Sequence, residues 1–155
     1  MYIADMHCDT MMRIWMSRLR GTPISLRETK PEDDFHIDLM KLKKGGSLVQ
    51  NFALYVDLKL PADFDGKEED SALIRKSNQE NVKYMSPWYQ TMEMAKVYHE
   101  EMAANADLIR EARTYEDIMR NKEVGLMSAV LTVEEGGAIE GQIDRLQTLY
   151  DEGVR

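Results

Sequence analysis

The chain has 155 residues, enough for one domain with a buried core, and its 43% hydrophobic and 31% charged residues are those of an ordinary globular protein. A formal net charge of −8 excludes nucleic acid and anionic membrane surfaces as natural partners, because both are polyanions. No apolar run approaches the roughly 20 residues of a membrane span, and Met1–Asp5 carries no basic segment of a signal peptide.

Tyr2–Asp9 reads as a short strand ending in polar residues, and Thr10 is the expected cap of a helix with Met11, Met12, Ile14, Trp15 and Met16 at helical spacing. Residues 20–35 are polar, contain Gly21, Pro23 and Pro31, and read as a surface loop. A short helix over Asp38–Lys44 ends at Gly45-Gly46. Ser47–Leu58 is the clearest buried strand, nearly continuous in apolar residues and rich in β-branched and aromatic types. Residues 61–70 form a charged loop and Ser71 to about Tyr84 a helical stretch. Ser86-Pro87 is a cap and first turn for a second helix, Trp88 to Ala103.

Thr114 caps another short helix, and Val124–Val133 is a second buried strand. That strand ends in Glu134-Glu135-Gly136-Gly137, where two glycines let the backbone turn sharply. The last helix, Gln142–Glu152, gathers Ile143, Leu146, Leu149 and Tyr150 near one face and stops at Gly153. This order predicts an α/β fold of parallel βα units. Three or four strands are too few to close a parallel barrel, so residues 1–155 read as a single partial barrel domain, the front of something larger. An exposed edge at the last strand then predicts self-association.

Two features can carry chemistry. In His7-Cys8-Asp9, strand alternation sends His7 and Asp9 to one side and Cys8 to the other. An imidazole beside a carboxylate at the C-terminal end of a strand suits a divalent metal such as zinc, and sites in parallel α/β folds are built at such ends. A pair satisfied locally in a turn is the competing reading. In Val133-Glu134-Glu135-Gly136-Gly137, an apolar strand delivers two carboxylates to its end, where one can bridge two metal ions; a solvated acidic turn is the alternative. Cys8, the only cysteine, precludes an intrachain disulfide and fits a reducing, cytoplasmic setting as a core residue. The loop residue His36 reads as a plain capping or surface residue, with a structural or substrate-side role as the alternative, and His99 as solvent-facing on its helix.

H-x-D on the first strand, Gln50-Asn51-Phe52 in the second and V-E-E-G-G ending a later one together resemble the membrane dipeptidase (renal dipeptidase, peptidase M19) family of the amidohydrolase superfamily. The resemblance takes in His36-Ile37-Asp38-Leu39, Gly45-Gly46, Gly136-Gly137-Ala138-Ile139-Glu140 and Leu149-Tyr150…Gly153-Val154-Arg155. It spans the whole chain but only about the first half of the family's usual length. It implies the N-terminal portion of a (β/α)₈ TIM-type barrel and a dipeptide substrate. It also implies two zinc ions, with His7 and Asp9 on the first, a glutamate bridging both, and a hydroxide between them attacking the peptide carbonyl. Aligned without a gap from Val133 through Ile139, Glu134 takes the bridging position; Glu135 stands where the family more often has glycine, and is the alternative. The second metal's histidines and a proton-handling aspartate should lie beyond Arg155, so the chain alone is expected to be inactive. A non-catalytic relative serving as an assembly or binding module, and another amidohydrolase-type metal hydrolase, remain open.

Overall fold

Strand β1 (Ile3–Asp5) leads into helix α1 (Thr10–Leu19), and helix α2 (Leu39–Gly45) precedes strand β2 (Ser47–Leu54). Helix α3 (Pro87–Ala104) is followed by β3 (Ile109–Glu111), α4 (Tyr115–Glu123), β4 (Met127–Val133), a 3₁₀ turn at Gly136–Ile139 and α5 (Arg145–Glu152). The computed structural model describes residues 2–30, 35–56 and 86–155. The expected loop 61–70, the helix over Ser71–Tyr84 and the final residues of the strand expected to reach Leu58 lie outside them.

Capping explains most helix starts. Ser86 accepts the Tyr89 N–H with Pro87 in the first turn of α3. Thr114 and Asp117 form a reciprocal capping box on α4. Asp38 caps α2 through the Lys41 N–H, and Gly46 ends that helix in the left-handed region (φ 77°). Two expectations need correction. Thr10 is the first helical residue of α1, whose N-cap is Asp9. Residues 20–30 and 35 are no plain surface loop: Leu26 and Phe35 are buried, and the carbonyls of Leu26 and Arg27 accept the first N–H groups of α2.

Among the described residues, four strands form one parallel sheet in the order β1-β2-β4-β3. Alternation divides the sheet cleanly. Phe52 and Leu54 share one face with Met127, Ala129 and Leu131, and these pack with Met11 and Ile14 of α1 and Met94 and Tyr98 of α3 in one core. The Tyr98 hydroxyl donates to the Ala129 carbonyl at 3.2 Å, and burial pushes the phenol far above its ordinary pKa. Asn51, Ser128, Val130 and Thr132 belong to the other face.

The connection from β3 to β4 runs back toward β2, so a right-handed crossover must lie on that second face. Asn121 of α4 accordingly donates to the Ser128 hydroxyl at 3.1 Å, and Lys122 sits 4.8 Å from the Tyr2 ring centroid. Helix α4 therefore covers the N-terminal end of the face whose C-terminal end carries Glu134. Strand β4 starts at Met127, three residues later than the apolar run, because Val124 caps α4 and Gly125 turns left-handed (φ 76°). It is not an edge either: β3 pairs with its first half, and Val154-Arg155 with its second through the Leu131 carbonyl. Among the described residues, the edges are the three-residue strands β1 and β3.

Candidate metal centre

The backbone sets the register of the site. The Ala53 N–H donates to the Cys8 carbonyl at 2.9 Å, and the Glu134 N–H to the Leu54 carbonyl at 3.2 Å. The H-x-D segment and the end of β4 thus flank the same point of β2. His7 Nε2 lies 3.2 Å from Asp9 Oδ1 and 3.5 Å from Glu134 Oε2. One ligand atom from each of the three falls within 4.8 Å of the others, and this is the one such group among the described residues. Their side chains are 43–49% exposed, so the cluster opens to solvent.

Local geometry favours that convergence over helix stability. Asp9 holds the N-cap of α1, where an aspartate ordinarily accepts an amide N–H from the first turn. Its side chain makes no cap bond and turns to His7 instead. Asp5, which sequence reasoning passed over, accepts the His7 backbone N–H at 3.2 Å and braces the segment from the other side. The signal was present as an acid two residues before the histidine.

The neighbouring acids separate. Glu134 faces His7, while the Glu135 carboxylate accepts the Gly137 N–H at 3.1 Å at the start of the 3₁₀ turn. Neither Gly136 nor Gly137 takes a positive φ, so glycine freedom does not make the turn; the left-handed residues come later, at Glu140 (φ 51°) and Gly141 (φ 74°). Arg145 closes the turn, donating to the Ile139 carbonyl at 3.2 Å, pairing with Glu140, and stacking 4.8 Å from the Trp88 ring.

Cys8 is buried in the helix-side core, where burial pushes its thiol up to about 11, partly offset by a hydrogen bond with Thr10. His36 is exposed in the segment before α2. His99 is not simply solvent-facing: Nδ1 is 2.8 Å from Glu111 and Nε2 3.3 Å from Glu152, joining α3 to β3 and α5. An imidazole and two carboxylates are a donor set suited to zinc or a similar divalent ion, and open catalytic zinc sites use three protein ligands of these kinds.

The sequence profile of the membrane dipeptidase family (peptidase family M19) matches residues 1–155. The chain belongs to that family. No curated protein sequence matches it. Among solved structures, the membrane dipeptidase fold recurs in a metallopeptidase of family M19 described as dipeptidase AC, at 19% identity and a TM-score of 0.68, covering 100% of this chain and 41% of that one. A metallopeptidase from Rhodobacter sphaeroides, bound to a phosphinate mimic of the dipeptide L-Ala-D-Ala, is similar at 18% identity and a TM-score of 0.68, covering 100% and 44%. The probable dipeptidase PvdM from Pseudomonas aeruginosa is similar at 16% identity and a TM-score of 0.56, covering 96% and 37%. The chain thus spans less than half of each of these chains, and its fold is the N-terminal portion of the family's (β/α)₈ barrel. None of the described helices is long and apolar enough to cross a membrane.

Proposed function

We propose that this chain is the N-terminal part of a zinc-dependent dipeptidase, with His7, Asp9 and Glu134 as metal ligands. The convergence of these three side chains at the C-terminal ends of neighbouring parallel strands carries the reading. Family membership supports it, as does the dipeptide mimic held by the Rhodobacter sphaeroides relative. Bound zinc, two ions in the complete enzyme, would supply an acidified water and a polarised peptide carbonyl.

This chain's residues do the holding. His7 offers Nε2, which binds only as the neutral ring, and Asp5 fixes the backbone from which it projects. Asp9 and Glu134 bring negative charge to offset that of the ions, and the two oxygens of Glu134 allow it to face both. The half-exposed cluster leaves the substrate a way in. In this reading the second ion's donors lie outside the His7–Asp9–Glu134 cluster, and the 155-residue chain alone is inactive. Expressed alone, it self-associates through the β1 and β3 edges. The lone, buried Cys8 fits a cytoplasmic setting.

The test is hydrolysis of a dipeptide panel by the full natural protein loaded with zinc. Turnover on the order of 1 s⁻¹ or more is expected, lost with a chelator and regained with zinc. A zinc-bound protein that cleaves none of the panel overturns the reading, and turnover by the isolated 155-residue chain overturns its inactivity.

A further inference from the structure

We propose that Glu135 is a positioning residue for Glu134. The inference rests on the metal-ligand reading above and extends it to the neighbouring acid. Glu134 is the first residue past β4, so its direction depends on the backbone that follows it. Glu135 is extended (φ −112°, ψ 119°), which turns its side chain away from that of Glu134 and brings Oε1 to the Gly137 N–H at 3.1 Å. That N–H lies in the first turn of a 3₁₀ segment, where backbone donors lack internal partners. The glycines impose no left-handed geometry, and a Cβ at Gly136 would meet nothing within 4 Å. The turn closes on backbone bonds, the Ala138 N–H to the Glu135 carbonyl at 3.0 Å and the Glu140 N–H to the Gly137 carbonyl at 2.9 Å, and side-chain bonds anchor its two ends, Glu135 at the start and Arg145 at the Ile139 carbonyl. Two adjacent carboxylates divide the work: one faces the H-x-D pair, and the other fixes the peptide chain that aims it.

The role needs an acceptor oxygen and not a charge, which separates it from ligation. Zinc affinity of the full natural protein is measured by competition with a chromogenic chelator, beside the melting temperature of the metal-free form. Glu135→Ala should weaken zinc about tenfold or more, within the range for outer partners of metal ligands. Glu135→Gln, whose amide oxygen can accept the same N–H, should stay within about threefold of the parent, below that range. Gly137→Pro, which deletes the donor and leaves Glu135 intact, should reproduce the alanine defect if Glu135→Ala does not fold. Unchanged zinc affinity in Glu135→Ala overturns the proposal, as does an equal loss in Glu135→Gln, which would make the carboxylate itself a ligand. A lowered melting temperature with unchanged zinc affinity reduces Glu135 to a structural cap and also overturns it. Glu134→Ala tests the underlying reading separately: if it binds zinc like the parent, the metal centre as drawn is wrong whatever Glu135 does.

Discussion

Asp9 stands at the N-cap of α1 and leaves that helix uncapped, because its carboxylate lies against His7 Nε2 at 3.2 Å. A capping aspartate contributes about 1 kcal/mol, so the helix forgoes that bond and retains only the weaker attraction between the carboxylate and its N-terminal dipole. Asp9→Ala should therefore lower stability by no more than about 1 kcal/mol while sharply reducing zinc content. Denaturant unfolding and metal analysis of the same preparation check this. A loss of several kcal/mol with zinc retained would show that Asp9 is a structural residue.

Asp38 is the contrasting case. It caps α2 through the Lys41 N–H at 2.7 Å and also accepts the Thr29 N–H at 3.1 Å and the Thr29 hydroxyl at 2.7 Å. Burial alone would raise its pKa, but these bonds outweigh it and hold the carboxyl below its ordinary value. Asp107, bonded to Arg27, and Asp117, bonded to the Arg113 N–H, are lowered too. A depressed folded pKa means that the unfolded chain binds more protons, so this stability is complete above the unfolded value near 4 and is lost as pH falls through the folded one. Asp38→Ala should cost about 2 kcal/mol at neutral pH and flatten the acid side of the stability profile. Stability of the parent that is flat from pH 6 to 3 would contradict the sign.

Much of this arrangement was legible in the sequence. Strong caps (Ser86-Pro87, Thr114) and apolar runs (within Ser47–Leu58 and Val124–Val133) announce themselves locally, and Cys8 lies in the core as expected, although β1 ends at Asp5 and strand alternation does not extend to His7 and Asp9. Strand β3 was not legible. It has three residues, too few for a period, and exists because β4 offers it an edge. Nor could sequence show that Asp9 would turn from its helix, or that Glu135 would bond a backbone N–H, since both depend on which partner lies nearer in the folded chain. Of the apolar face expected on the last helix, only Leu149 is buried; Ile143, Leu146 and Tyr150 are exposed.

His99 ties three elements together and should matter to stability alone. Its ring meets Glu111 of β3 and Glu152 of α5 from α3, with each side chain 30–39% exposed. Half-exposed pairs of this kind contribute up to about 1 kcal/mol. His99→Ala should lower stability by about that amount and leave zinc affinity unchanged. A double-mutant cycle with Glu111→Ala should show coupling, and strictly additive losses would mean that the contact contributes nothing.

Cys8 offers the sharpest check on which side of the His7–Asp9 segment faces the metal. Cysteine is among the commonest zinc ligands, and this one lies between two proposed ligands in sequence. Its side chain nevertheless packs into the core with Met11 and Ile14, while its carbonyl accepts the Ala53 N–H. Cys8→Ala deletes a buried sulfur and leaves a small void, so stability should fall by about 1 kcal/mol. Zinc content should not change, because the backbone bond to Ala53 survives and the H-x-D register with it. Asp9→Ala and Cys8→Ala should thus be told apart by zinc, which is lost in the first and kept in the second, while both cost only a small amount of stability. Loss of zinc in Cys8→Ala, at a temperature where the variant is folded, would place the sulfur in the metal centre and reverse the assignment of faces on which His7, Asp9 and Glu134 depend.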